Sequence, residues 1–421
     1  MIRLGFRDFK RNFLLNILVV LLLMIVFAAT ISGISAVAGR MKTYNKIRPY
    51  LEQPGVFMWA DILTYGTDNY MYKDPDELRQ YLSNVQDVLS VTRWLATTYQ
   101  GKDIEVWEYS QEVVEMLSPE MEKGRYFSKQ DIYSNTLKGV ISQNTMGIQV
   151  GDIVRIDDGM IKDCYQEIEI IGVMQDGVTL YQPSYYGEDL EDYRQCFQPY
   201  NVEVEGNKPV ILVAGQQILA NQSKGLFSKV NHRLGDLGFM RQITGPVVIT
   251  YSKGTKEDQI DTDLATACGS ATSIIRQYTL EEFNQNSKKY IFGDIYNLLP
   301  VIICAFVFIL IASISAGVIS VKKNMYNYAI YYICGLQWKQ CARISLYTSI
   351  IVTMIAFLFD CGAITLLQIV GRLEGTMLSI GIWQLLVSAG IGVVFVLISW
   401  MLPVFLVRNM SAERVLRDNR E

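Results

Sequence analysis

Histidine is almost missing from this chain: His232 is the only one in 421 residues. That excludes a His-rich metal centre and an H-E-x-x-H protease site. No G-x-S-x-G elbow is present, so the commonest serine-hydrolase nucleophile is absent. No G-x-x-x-x-G-K-[ST] phosphate loop occurs either, so the chain cannot hold ATP through that motif. The seven cysteines show no metal-ligand spacing. Cys164, Cys196 and Cys268 fall in the polar middle of the chain, where an odd number allows at most one disulfide. Cys304 and Cys361 lie in apolar runs, and Cys334 and Cys341 in a short basic segment. All seven read as small hydrophobic fillers.

Charge is also scarce, but only in places. Leu14–Val37, Leu298–Ser320, Ile344–Val370 and Ile380–Val407 are almost free of it, and each is long enough to cross a bilayer. Residues 39–295 hold 25 Lys and Arg against 36 Asp and Glu, a net of −11. The remainder holds 13 basic and 6 acidic residues, a net of +7. The basic residues sit in three places: Arg3, Arg7, Lys10 and Arg11; Lys322, Lys323, Lys339 and Arg343; Arg408, Arg414, Arg417 and Arg420. Only Arg372 and Glu374 separate the third and fourth spans. This positive-inside pattern predicts a multi-pass membrane protein, both termini cytoplasmic and residues 39–295 outside. The fold class expected is α-helical membrane, four spans arranged one plus three, with a large α+β extracytoplasmic domain between the first and second. So much mass outside the bilayer argues against a simple channel.

Residues 1–13 read as an amphipathic helix at the membrane interface, with Ile2, Phe6, Phe9 and Phe13 at helical spacing and arginines available to lipid head groups. A plain charged leader fits equally. Ala36-Val37-Ala38 resembles a signal cleavage site, but the apolar run is longer than a signal peptide uses, so the span is expected to stay. In the outer region Val56–Leu63, Asp103–Trp107, Lys138–Ser142, Asp152–Ile156, Glu167–Met174, Val210–Val213, Pro246–Tyr251 and Thr272–Tyr278 predict strands. Asp74–Leu89, Gln216–Gln222, Lys256–Cys268 and Leu280–Tyr290 predict helices, the last able to run on into the second span. Residues 180–205, acidic and rich in tyrosine, read as an irregular insertion or second lobe, within a variable part of about 180–245.

Residues 322–343 form a short basic segment between spans two and three. Met325, Tyr328, Ala329, Tyr332, Ile333 and Leu336 fall on one helical face, and Gly335 is placed to end that helix. Such a helix, lying under the membrane, offers a docking surface to a cytoplasmic partner. The run from Asn327 to Leu336, NYAIYYICGL, resembles the cytoplasmic segment of FtsX-like and MacB-like ABC transporter permeases. In that family an acid starts the segment; here Asn327 stands in its place. A second likeness lies outside: Gly124-Arg125-Tyr126-Phe127-Ser128, Asp131, Gly139-Val140-Ile141-Ser142, Gly151-Asp152 and Ile170-Ile171-Gly172-Val173-Met174 resemble the MacB-type periplasmic core domain.

The resemblance implies the permease half of a type VII ABC assembly. Two such chains, identical or not, would pair, each on a cytoplasmic ATPase that holds the ATP and Mg; this chain would bind no cofactor itself. An extracytoplasmic adaptor is a further possible partner, membrane lipid a certain one, and nucleic acid none. ATPase coupling would fall to Asn327, Tyr328, Ile330, Tyr331, Gly335 and Leu336. The implied role is non-catalytic: exporting or releasing a peptide, toxin or lipid-linked substrate by conformational change of the outer domains. An FtsX-like activator of a cell-wall hydrolase, or a receptor with no ATPase, are the alternatives. Within the spans, Asp360 is the one acid, facing either a helix contact or the outer interface. Ser313 with Gly317, and Ser388 with Gly392, are small-xxx-small pairs that permit close helix approach. Trp383 and Trp400 bracket span four as an aromatic belt does.

Overall fold

In the computed structural model, residues 2–63, 85–132, 134, 136–159, 165–182, 191–202, 208–215, 241–267, 274–335, 338–369 and 381–408 are described. The chain divides into two compact units, one of residues 1–41 and 291–421 and one of residues 42–290.

The first unit is all helix. It contains α1 (Ile2–Arg11), the start of α2 (Phe13–Leu51), most of α6 (Leu280–Ile333), α7 (Trp338–Ile369) and α8 (Ile382–Arg408). Four of these are long and apolar enough to cross a membrane, one near the N-terminus and three after the large insert. Leu23, Val26 and Phe27 of α2, Ile309 of α6, Val352 and Ala356 of α7 and Phe395 of α8 form one buried cluster. Phe27 meets Phe357 edge-on, with ring centroids 6.0 Å apart. The outward faces of the same helices stay apolar, as at Leu14, Phe308 and Leu358, which suits a lipid solvent rather than water.

The second unit is α+β. Its helices α3 (Gln111–Met116), α4 (Lys129–Ile132) and α5 (Glu257–Ala267) accompany a sheet of thirteen described strands. The strands are β1 (Gly55–Leu63), β2 (Val85–Leu89), β3 (Val91–Trp94), β4 (Thr97–Tyr99), β5 (Lys102–Asp103), β6 (Glu105–Tyr109), β7 (Met121–Gly124), β8 (Lys138–Ile141), β9 (Ile153–Asp158), β10 (Tyr165–Met174), β13 (Val210–Ala214), β14 (Arg241–Tyr251) and β15 (Ile274–Thr279). Their order is β15-β1-β14-β3-β6-β13-β8-β10-β9-β4-β5, with β2 added beside β14 and β7 beside β10. Two neighbouring pairs, β13 with β6 and β10 with β8, are parallel; the other pairs are antiparallel. Strand β13 is buried at every residue, as a central strand covered on both faces should be. Strand β9 alternates instead: Ile153 is exposed while Val154 and Ile156 join the core with Ile168, Ile170 and Ile211. A separate hairpin of β11 (Val178–Tyr181) and β12 (Phe197–Tyr200) completes the unit.

The predicted strands appear within a residue or two of their expected limits, except that Pro246–Tyr251 is the second half of a longer strand starting at Arg241. The helix expected over Asp74–Leu89 does not hold at its end. Val85–Leu89 is strand β2, paired to Val248–Tyr251 with Val88 and Leu89 fully buried; sheet contacts outweighed a helical charge pattern. Residues 74–84 of that expectation, and Gln216–Gln222, lie outside the described residues, as do His232, Cys164 and Cys268. The tyrosine-rich stretch is not peripheral where described. The buried Tyr181 hydroxyl donates to the Pro246 carbonyl of β14 at 3.0 Å, so the hairpin packs on the main sheet.

Two long helices end inside this sheeted unit. The last turns of α2 bury Tyr44, Ile47 and Leu51, and the first turns of α6 bury Leu280, Phe283 and Ser287. Tyr44 donates to Asn284 Oδ1 at 2.6 Å, and Phe57 of β1 stacks on Phe283 at 4.1 Å. The Tyr193 amide donates to Ser287 Oγ at 3.0 Å, and the Arg194 guanidinium lies 3.6 Å over the Tyr290 ring. Helix α6 is therefore one element from Leu280 to Ile333, as a helix running into the second span requires.

Candidate functional site

The coupling candidates lie at the far end of α6. Asn327, Tyr328, Ile330 and Tyr331 belong to its last turns, with Ile330 exposed and Tyr331 half-buried. The Cys334 amide donates to the Ile330 carbonyl at 2.9 Å, closing the final turn. Gly335 follows at φ +96°, the left-handed cap that only glycine adopts cheaply. Leu336 lies outside the described residues, and α7 begins at Trp338. Among the described residues no separate helix lies between α6 and α7. The basic segment up to Ile333 continues the span helix, because nothing between Lys322 and Ile333 breaks helical hydrogen bonding.

The amphipathic α1 carries a polar contact that the sequence reading passed over. Its Gly5 lies so close to α7 that an added Cβ would sit 2.7 Å from Tyr347 Cβ. Asp8, though flanked by arginines, is buried; its Oδ1 accepts from Asn12 Nδ2 at 3.2 Å and its Oδ2 from Thr348 Oγ1 at 3.1 Å. Asn16 Nδ2 donates to the Phe9 carbonyl at 3.1 Å. The signal was legible: Asp8, Asn12 and Asn16 recur every four residues, one face of a helix. Phe9 is buried while Phe6 of α1 and Phe13 at the start of α2 are exposed, leaving apolar side chains for lipid.

The small-residue pairs lie on α6 and α8. Ser313 Oγ lies 3.0 Å from Ser399 Oγ, joining α6 to α8, and Gly317 lines the same small cavity. A Cβ on Gly392 would lie 2.9 Å from Thr353 Cγ2 and 3.6 Å from Phe27 Cζ, so three helices meet there. Ser388 is fully buried one turn away, and Asp360 of α7 is only 5% exposed. Gln384 Nε2 donates to Ser35 Oγ at 3.3 Å, tying α8 to α2. Asp360 is thus packed within its helix bundle. Trp383 is exposed and Trp400 half-buried on α8.

In the outer unit the glycine-rich likeness has a packing cause. Gly124 of β7 pairs in register with Gly172 of β10, and each takes a neighbour's carbonyl oxygen against the space a Cβ would fill. A Cβ on Gly139 would sit 2.7 Å from both Ile168 Cγ2 and Ile211 Cγ2. Asp131, 3% exposed, accepts from both guanidinium nitrogens of Arg125, from the Ser128 amide at 2.9 Å and from Lys138 Nζ at 3.1 Å. The Arg125 guanidinium holds its carboxyl well below the usual carboxylate range, with the Ser128 and Lys138 hydrogen bonds adding to this. These contacts tie Arg125, Ser128 and Lys138 to one buried carboxylate. A cavity of about 600 Å³ opens elsewhere on the same unit, beside Gly55 and the first turns of α5 and α6. Its walls carry Glu52, Glu257, Asp261 and Glu281 against one lysine, Lys288.

Comparison with solved structures returns likenesses to outer domains of transporters. One is the extracellular domain of the noncanonic ABC-type transporter YknZ from Gram-positive bacteria, at 15% identity, covering 54% of this chain and 99% of that one, TM-score 0.27. Another is the periplasmic region of MacB from Actinobacillus actinomycetemcomitans, at 9% identity, covering 59% and 98%, TM-score 0.29. No family model matches the chain, and no curated protein does.

Proposed function

We propose that the chain is the membrane subunit of an ABC assembly, transmitting the work of a separate cytoplasmic ATPase to its outer domain. The observation that carries this reading is helix α6, unbroken from the core of the sheeted unit, through an apolar span, to a basic end capped by Gly335. Apart from the turn at Pro300, whose missing N–H removes one hydrogen bond, each turn of α6 is hydrogen-bonded to the next and resists bending, so displacement at one end is felt at the other. The four-span layout, the positive-inside charge pattern and the two sequence likenesses support the same reading. On it, both termini and residues 322–343 are cytoplasmic, and Ile330, Tyr331 and Gly335 meet the ATPase. Two copies pair in the membrane, and the acidic cavity of the outer domain is where an exported or released peptide is gripped.

Substituting Gly335 tests the reading. Gly335→Val places a β-branched residue at φ +96°, a conformation it resists strongly. The variant should reach the membrane with a folded outer domain but retain little of the substrate-linked ATPase activity of the reconstituted complex. Wild-type coupling in that variant, or purification of the native chain from its source without an ATPase, would count against the reading.

A further inference from the structure

We infer that the cavity beside Gly55 is a binding site for a short amphipathic cationic stretch of peptide, apolar side chains on its floor and basic ones at its rim. Three pieces of the outer unit wall it. Residues 51–56 join α2 to β1. Glu257, Ile260 and Asp261 stand at i, i+3 and i+4 on α5, and Glu281, Asn284, Gln285 and Lys288 at i, i+3, i+4 and i+7 on α6. Each helix therefore turns one face to the same space. At about 600 Å³ that space lies in the range that holds an organic ligand.

Floor and rim differ in kind. Leu51, Val56 and Ile260 are buried. Asn284 joins them at 8% exposure, and only one end of its amide is engaged. Its Oδ1 accepts from the Tyr44 hydroxyl at 2.6 Å, while its Nδ2, on the cavity wall, donates to nothing among the described residues. An N–H group held away from water without an acceptor is destabilising, and a peptide carbonyl placed against it would answer it. The rim carries the charge: Glu52, Glu257, Asp261 and Glu281 are exposed there, with Lys288. Arg48 pairs with Glu52 at 2.7 Å. Four acids against Arg48 and Lys288 leave a net of −2. Glu257 and Asp261, one turn apart on α5, have no ion-pair partner among the described residues. An anionic ligand is repelled by this rim, and a purely polar cation leaves the floor unused. A peptide with alternating basic and apolar side chains meets floor, amide and rim together.

That such a peptide is the cargo of the assembly rests on the function proposed above; the binding itself does not, and is measured without an ATPase. The full chain in nanodiscs of zwitterionic lipid is titrated into a fluorescently labelled Lys-Leu-Lys-Leu-Lys peptide and followed by anisotropy, with empty nanodiscs subtracted. Saturable binding is expected. It should weaken roughly tenfold in the double variant Glu257→Gln, Asp261→Asn. Both residues are exposed, so their neutral forms keep the packing of the unit. The control variant Glu167→Gln, Asp176→Asn removes two exposed acids from β10 and the turn after it, and should bind as wild type does. Peptides with glutamate for lysine, or glycine for leucine, should bind far more weakly. Absence of saturable binding, an equal response of the two double variants, or equal binding of the glycine peptide overturns the inference. A chain that binds the peptide yet purifies without an ATPase would keep this site and lose only the transport reading.

Discussion

Asp131 shows how one side chain organises a corner of the outer unit. Its carboxylate is buried but answered by a guanidinium, an ammonium and a backbone amide, so removing its charge strands several donors at once. Asp131→Asn should destabilise the outer unit by about 2–4 kcal/mol, the cost typical of breaking a buried pair, reduced because Arg125 is half-exposed. The pH dependence follows from the depressed folded-state value. Such a group contributes fully above its unfolded value, roughly pH 4, and the contribution fades as pH falls below that. Chemical denaturation of the isolated wild-type and Asp131→Asn chains between pH 7 and pH 2 should therefore converge as acidity rises. A gap that stays constant over that range would mean the ion pair is not its source.

At the scale of elements, α1 is held by polar contacts rather than by its arginines. Replacing Asp8 with leucine leaves Thr348 Oγ1 and Asn12 Nδ2 without their carboxylate. Loss of such a contact in a membrane costs roughly 0.5–2 kcal/mol, enough to matter for a ten-residue helix that is marginal alone. Amide hydrogen exchange over residues 3–11 should rise several-fold in Asp8→Leu, with exchange in α8 unchanged. The sequence showed α1 as amphipathic and its Asp-Asn-Asn spacing was there to be read, but the surrounding arginines made the helix look like a surface element. Burial of Asp8 depends on Gly5 letting α7 approach, a long-range contact that periodicity does not report. For the same reason the strand Val85–Leu89 was hidden: its partner lies at Val248–Tyr251, far along the chain. Spans, the Gly335 cap and the run of α6 from Leu280 into the second span were legible because each is set by local pattern; the continuation of that helix to Ile333 was not.

For the whole molecule, α2 and α6 are the only described helices that contribute residues to both units. Within the sheeted unit the Tyr44–Asn284 hydrogen bond joins α2 to α6, and Phe57 of β1 stacks on Phe283 of α6. If α6 acts as a lever, its stiffness between Tyr290 and the first turn of the span should matter more than the identity of any residue there. Inserting three glycines after Tyr290 breaks helical hydrogen bonding at that point at about 1 kcal/mol per glycine, while leaving the packed residues of each unit in place. Both units should keep their own thermal transitions and hydrogen-exchange protection. Transport, and the substrate-dependent part of ATP hydrolysis, should fall to background in the same preparation. Inserting three alanines, which preserve a continuous helix while turning it, tests orientation separately from stiffness. Retained activity in the glycine variant would show that force reaches the outer domain by another path, through α2 alone.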